Sequence, residues 1–307
     1  MIVLDWLLSH QQRIDTKEIS SLDEWKKKYW ESVSGWKEPI DRAMAGGFLS
    51  DRAGYAFAAG YEAALMRLVP SLPERSIVSI CVTEEKGGHP GMIESNLQKA
   101  PGENSWVLNG SKKFITLAGV ADLFLVAATT GTAPDKKNII RLVQVERNSP
   151  GLKITPMPDL AFVPEISHGV LTFHDVSVNN SGMLPGDGYA DYVRPFRTIE
   201  DLHVSAAITG YMFRIACLYQ WPRSIKELIA SLLVGTRSLA LEDPTSPGVH
   251  IALGGLGAQM SSVFESTAVY WEKTDETTRS RWERDRALLG VAEKSRVRRL
   301  EKAWMRF

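Results

Sequence analysis

The sequence predicts a multi-domain α+β fold in which N-terminal helices are followed by a middle β-barrel domain and a C-terminal helical bundle. Residues 1–75 contain mostly helix-forming residues, with apolar side chains at helical spacing. Residues 76–190 are rich in β-branched residues separated by Gly, Pro and Asn, which is typical of short strands joined by turns. Helical patterns return over residues 191–307. Three domains with these boundaries are therefore expected, and the two helical ones are short.

The N-terminal segment shows helical periodicity interrupted by glycine. Trp25 and Tyr29 recur at the spacing of one helix face. Further along this segment, Gly46 and Gly47 are adjacent. Paired glycines among helix formers indicate a turn, so we expect one helix to end there.

The first strands of the middle segment are predicted by short apolar runs. Residues 80–82 form a β-branched run that ends at the polar Thr83. Residues 106–108 and 113–116 predict two more strands, and Asn109-Gly110 between them predicts a two-residue hairpin turn with positive φ. A strand end of this kind exposes backbone N–H groups, and Thr83 adds a hydroxyl.

The order of these segments resembles the flavin-facing half of the middle domain of the acyl-CoA dehydrogenase family. The sequence CVTEEKGG at residues 81–88 is followed by ENSWVLNGSKKFITLAGVADLFLV at residues 103–126. Downstream, residues 143–152 resemble the family's strand and PGL turn, and residues 171–178 resemble its F-x-D-V-x-V strand. Roughly residues 40–215 match the family by pattern.

The resemblance implies that the middle domain binds FAD. It places Thr83 at the pyrimidine edge of the isoalloxazine ring, Phe114 against the ring and Thr116 near flavin N5. From the residues alone, the same segment could be an ordinary hairpin with Phe114 in its core. The implied cofactor site also includes the neighbouring strand residues Cys81, Val82 and Ile115.

The chain departs from the family pattern in the loop after the first strand. Where the family commonly has T-E-P-x-A-G-S-D, residues 83–90 read TEEKGGHP, so His89-Pro90 replaces a Ser-Asp pair beside the acyl-CoA and the flavin. Gly88 and His89 are thereby implied to face the substrate. His89 is a candidate general acid or base, and the alternative is an ordinary solvated loop histidine.

The reaction of the family requires a carboxylate that removes the substrate α-proton. Most members carry this glutamate in a C-terminal Tyr-Glu-Gly-like segment that has no counterpart here. Residues 199–210 instead resemble the helix that carries the base in the isovaleryl-CoA and long-chain branches. This places Glu200 at the base position and Asp201 where those branches have an arginine that seats the substrate. The alternative is that both are N-terminal helix carboxylates favoured by the helix dipole.

The function that the resemblance implies is FAD-dependent oxidation of an acyl-thioester or related substrate, an oxidoreductase reaction on a CH–CH donor. Electrons would pass to an electron-transfer flavoprotein. Because the ADP half of FAD usually reaches a neighbouring subunit in this family, a homodimer or homotetramer is also implied. Two alternatives stay open: a degenerate, non-catalytic member acting as a binding or structural subunit, and a flavin oxidase or monooxygenase on the same fold.

Composition excludes some other classes of partner. The 36 basic and 36 acidic residues balance, so nothing in the net charge indicates nucleic acid or an anionic membrane. Two cysteines cannot build a disulfide framework and indicate a reducing cytoplasm. The N-terminal stretch has an early acid and lacks the basic start of a secretory signal. The histidines lack zinc-ligand spacing, and we expect no metal.

Overall fold

The computed structural model describes residues 3–100 and 105–307. Met1 and Ile2, at the start of the N-terminal stretch considered above, lie outside the described residues, as do Glu103 and Asn104 of the quoted motif. The chain has the predicted multi-domain α+β fold. It forms two compact units. The helical unit comprises Met1–Pro70, Leu160–Glu165 and Thr198–Phe307, and the sheet unit comprises Ser71–Asp159 and Ile166–Arg197.

The helical unit brings helices from both ends of the chain around one apolar core. In that core the rings of Trp271 and Trp282 stack with their centroids 4.8 Å apart. No helix among the described residues is long and apolar enough to cross a membrane. The helices are α1 (Val3–His10), α2 (Leu22–Val33), α3 (Pro39–Leu49), α4 (Ala53–Leu68), α5 (Arg194–Leu218, in this unit from Thr198), α6 (Arg223–Ala240), α7 (Pro247–Ser266), α8 (Ala268–Trp271), α9 (Glu276–Asp285) and α10 (Glu293–Trp304).

The paired glycines of the N-terminal segment lie inside α3, so the turn predicted at Gly46 and Gly47 is wrong. A Cβ atom on Gly47 would lie 1.9 Å from the carbonyl oxygen of Ala207 on α5. The absence of a side chain therefore lets α3 and α5 pack closely. Glycine inside a helix costs about 1 kcal/mol relative to alanine, and this close packing offsets the cost.

The sheet unit contains one curled seven-stranded sheet with the order β1-β4-β2-β3-β7-β6, and β5 pairs with β4. Neighbouring strands β3 and β7 are antiparallel, whereas β1 runs parallel to β4. Residues along β7 alternate between buried and exposed, as expected for a sheet with one face on a core. The strands are β1 (Val78–Cys81), β2 (Asn96–Lys99), β3 (Ser105–Thr116), β4 (Leu123–Thr132), β5 (Asn138–Glu146), β6 (Leu152–Pro156) and β7 (His168–Asn179).

The predicted hairpin turn at Asn109-Gly110 is wrong, because both residues lie within the continuous strand β3. Gly110 does have a positive φ of 139°. The register with β7 shifts directly before Gly110, so the unusual backbone forms a β-bulge and not a turn. A Cβ atom at this position would lie 2.6 Å from the Cα atom of Ser95. Close approach of the neighbouring chain therefore requires glycine here.

Candidate functional site

The candidate site lies in the sheet unit, where the loop after β1 runs beside the last residues of β3. The Lys113 backbone N–H donates a hydrogen bond to the Thr83 carbonyl over 2.8 Å. The Ser79 hydroxyl donates to the Thr116 carbonyl over 2.6 Å. These contacts bring the segment containing Thr83 next to the segment that contains Phe114 and Thr116.

Phe114 has the backbone and exposure of a ligand-contacting residue. Its φ is +58°, and it lies where the register of β3 with β7 shifts again. Left-handed backbone costs a residue with a side chain about 1–2 kcal/mol. The ring is 58% exposed, so the alternative that Phe114 fills a hairpin core is wrong. Strain at an exposed aromatic residue is typical of functional sites, and the ring provides an apolar surface for a planar ligand.

Two of the remaining predicted cofactor residues have buried side chains. Cys81 and Ile115 have relative exposures of 0% and 1%, so their side chains belong to the core of the sheet unit. Burial raises the pKa of the Cys81 thiol, which therefore stays neutral and unreactive. Val82 is half-buried.

A buried ion pair that the sequence analysis missed underlies this site. The Lys112 ammonium lies 2.6 Å from the Glu84 carboxylate, and the exposures of the two side chains are 0% and 8%. Burial lowers the pKa of Lys112, and the charge of Glu84 counters only part of that effect. For Glu84, burial acts to raise the pKa, but Lys112 and two backbone N–H groups together bring it below its ordinary value of 4.5. Glu84 is therefore ionised at neutral pH.

The sequence carries a weak signal for this pair. Two glutamates at residues 84–85 face two lysines at residues 112–113 in the matching segments. Charged residues at strand ends are usually exposed, which is why the pattern alone does not predict burial. In the structure, one pair is buried and the other, Lys113 with Glu85, lies at the surface.

The loop that carries Gly88 and His89 lies beside Thr83. A Cβ atom on Gly88 would lie 3.3 Å from the Thr83 hydroxyl oxygen. His89 is exposed, and its Nδ1 atom accepts a hydrogen bond from the Gly91 backbone N–H over 3.3 Å. His89 therefore caps the short 3₁₀ turn Pro90–Met92, which is a local structural role for one ring nitrogen.

The candidate carboxylates of the helical unit lie next to each other on α5 in different environments. Glu200 is half-buried. Asp201 is 5% exposed, and its carboxylate pairs with Arg296 over 3.2 Å and with Arg299. Burial raises the pKa of Asp201 even though both guanidinium groups oppose the shift. Because arginines occupy both carboxylate oxygens, the structure favours a structural role for Asp201.

His203, one turn further along α5, is a buried histidine that the sequence analysis did not single out. It is 1% exposed, and its Nδ1 atom lies 2.7 Å from the Ile199 carbonyl oxygen. That distance assigns the proton to Nδ1 in the neutral ring. Burial lowers the pKa of His203 to about 4, so the ring is neutral at pH 7.

The sequence comparisons match part of the chain. Residues 79–176 match the acyl-CoA dehydrogenase middle domain. Glutaryl-CoA dehydrogenase of Desulfococcus multivorans is 32% identical over 166 residues, which cover 52% of this chain and 40% of that relative. A short-chain-specific acyl-CoA dehydrogenase of Megasphaera elsdenii is 27% identical over 121 residues, covering 39% and 31%. The match thus spans less than half of either relative.

The structural comparisons extend the likeness to nearly the whole chain. Butyryl-CoA dehydrogenase from Megasphaera elsdenii has a TM-score of 0.73 at 16% identity, with 99% of this chain and 98% of that chain covered. An FAD-dependent dehydrogenase has a TM-score of 0.69 at 17% identity, with 95% and 94% covered. At these identities the likeness concerns the fold. Residues 79–176 thus match the acyl-CoA dehydrogenase middle domain, and the fold of the chain is similar to that of butyryl-CoA dehydrogenase.

Proposed function

We propose that the sheet unit binds FAD, with one face of the isoalloxazine ring against Phe114. The observation that carries the proposal is the exposed, positive-φ Phe114 beside the Thr83 segment, within the matched middle domain. A planar, largely apolar ring would cover the exposed aromatic side chain. The likeness to a solved FAD-dependent dehydrogenase supports the same cofactor.

The surrounding residues would orient the flavin by hydrogen bonds. Thr83 supplies a hydroxyl for the pyrimidine edge of the ring, and Thr116 supplies a hydroxyl near N5. The backbone of Cys81, Val82 and Ile115 would complete the contacts, since the side chains of Cys81 and Ile115 lie in the core.

The reaction that we propose is oxidation of an acyl-thioester. Two of the similar proteins are named for acyl-CoA substrates, namely glutaryl-CoA dehydrogenase and butyryl-CoA dehydrogenase. Bound FAD would supply the hydride acceptor. Glu200 would remove the substrate α-proton, and the loop with Gly88 and His89 would face the substrate. We further propose that an electron-transfer flavoprotein accepts the electrons. The protein would work as a homodimer or homotetramer.

FAD titration of the purified protein tests the cofactor proposal. We expect a flavin spectrum and a higher thermal midpoint with FAD. The double variant Phe114→Ala/Thr116→Val should bind FAD about tenfold or more weakly, because a packing surface and a hydrogen bond are removed together. Trp304→Ala is the matched control, since Trp304 is 59% exposed in the helical unit.

The outcomes separate the three functions under consideration. Wild-type protein that stays colourless after incubation with FAD, with an unchanged thermal midpoint, would favour the non-catalytic binding subunit. Flavin that binds but is reoxidised rapidly by oxygen after reduction would favour an oxidase. Flavin that acyl-CoA bleaches and an electron-transfer flavoprotein reoxidises would support the dehydrogenase.

A further inference from the structure

The Glu84–Lys112 ion pair connects the segment that contains Thr83 to the segment that contains Phe114 and Thr116. The Lys112 ammonium donates to the Val82 carbonyl over 3.3 Å and to the Glu84 carboxylate over 2.6 Å. The next residue, Lys113, donates its backbone N–H to the Thr83 carbonyl over 2.8 Å. Residues 82, 83 and 84 are therefore each held by residue 112 or 113.

The second oxygen of the same carboxylate extends these contacts to the following loop. It accepts the Glu94 backbone N–H over 2.8 Å, while the oxygen that faces Lys112 also accepts the Ser95 N–H over 3.0 Å. Glu84 and Gly87 also exchange two backbone hydrogen bonds of 3.1 and 3.0 Å, which close a tight turn. The carboxylate thus ties both ends of the loop that contains Gly88 and His89.

The cost of burying two charges indicates that this pair does more than stabilise the fold. Desolvation of a buried ion pair commonly consumes most of the Coulombic gain, and apolar replacements are often as stable. Here Lys112 holds residues 82 and 84 on either side of Thr83, and the Thr83 carbonyl accepts the backbone N–H of Lys113, the residue before the strained Phe114. A charged pair whose four hydrogen bonds join its two members to each other and to three backbone groups restricts geometry more tightly than apolar packing does.

We propose that Lys112 and Glu84 form a positioning pair that sets the separation between the Thr83 hydroxyl and the Phe114 ring, and thereby the seat of the flavin ring. The proposal rests on the proposed FAD site. Lys112 and Glu84 act through Thr83, Phe114 and the loop of residues 84–95. With the ammonium removed, the Val82 carbonyl and the carboxylate lose their shared donor, and the two segments can separate.

The test uses Lys112→Met, which keeps the length of the side chain without its charge, and Glu84→Gln/Lys112→Met, which leaves no unpaired buried charge. Lys113→Met is the matched control, because Lys113 pairs with the surface residue Glu85 and its backbone contact to Thr83 needs no side chain. FAD dissociation constants, and the absorption and fluorescence of the bound flavin at saturation, are measured well below each thermal midpoint.

We expect Lys112→Met to bind FAD about tenfold more weakly, with altered flavin fluorescence in the folded protein. The double variant should recover the thermal midpoint without recovering the affinity, and Lys113→Met should resemble the wild type. Wild-type affinity and spectrum in the folded double variant would overturn the positioning role, even if Lys112→Met does not fold. Failure of the wild type itself to bind FAD would instead overturn the proposed function, and with it this inference.

Discussion

Glu84 in the sheet unit and Asp201 in the helical unit are both buried carboxylates paired with cations, yet their pKa values shift in opposite directions. Glu84 pairs with one lysine and accepts two backbone N–H groups, and its pKa is lowered. Asp201 pairs with two arginines, and its pKa is raised because burial outweighs both. The number of opposite charges therefore does not decide the shift.

The two carboxylates differ in whether the penalty of burial is outweighed, and they also differ in the donors that the fold supplies. The backbone N–H groups of Glu94 and Ser95 are fixed by the loop and favour the ionised carboxylate at no cost in side-chain entropy. The donors of Asp201 are the ends of long side chains on α10. We infer that the Glu84 site keeps its charge through Lys112 together with backbone donors fixed by the loop, whereas the Asp201 site depends on the packing of α10 against the rest of the helical unit.

The largest expected effect concerns Glu200, the half-buried neighbour of Asp201. If Glu200 is the catalytic base, Glu200→Gln should slow bleaching of the flavin by acyl-CoA by about two to four orders of magnitude, because proton removal loses its acceptor. FAD should remain bound, as judged by the visible spectrum. Full activity in Glu200→Gln would remove Glu200 from the mechanism. Asp201→Asn is the control, because it shows how much of any loss of activity comes from disturbing this part of α5.

Asp201→Arg tests whether the charge of Asp201 is structural. A third guanidinium group beside Arg296 and Arg299 should lower the free energy of unfolding by about 3–5 kcal/mol, as measured by urea denaturation. Asp201→Asn should cost less, since it adds no positive charge. Unchanged stability of Asp201→Arg with tighter acyl-CoA binding would instead indicate that residue 201 faces the substrate phosphates.

His203 should make the helical unit sensitive to acid. Its folded pKa of about 4 lies below the ordinary 6.5, so the unfolded state binds more protons between these values. Stability therefore rises with pH across this window and falls by about 3 kcal/mol as pH drops from 6.5 to 4. His203→Gln should reduce that loss in pH-dependent denaturation. His174→Gln, whose side chain is 85% exposed in the wild type, should not.

The smallest expected effect is the pH dependence of the stability that Glu84 contributes, and its sign is defined. The folded pKa of Glu84 lies below 4.5, so its contribution is present above that pH and is lost as pH falls through the folded pKa. The difference in thermal midpoint between wild type and Glu84→Gln should therefore be largest near neutral pH and shrink in acid. A difference that stays constant with pH would mean that hydrogen-bond geometry, and not charge, is what Glu84 contributes.

The sequence by itself determined where most elements lie. β-branched runs predicted β1 and the two halves of β3. The order of the motifs carried the resemblance to the acyl-CoA dehydrogenase middle domain, which residues 79–176 match. The resemblance likewise implies that the segments of Thr83 and Phe114 face one ligand, and the structure places these segments side by side.

Tertiary structure decided the outcome wherever a local sequence signal is compatible with more than one structure. Gly110 has the positive φ that its dipeptide predicts, but the approach of Ser95 and the pairing with β7 make it a bulge. Gly47 serves helix packing against Ala207, which lies 160 positions away in the sequence. Lys112 is buried because it pairs with Glu84, which lies 28 positions away in the sequence. Asp201 pairs with Arg299, which lies 98 positions away. Such partners are absent from any local window, and burial of a charge depends on them alone.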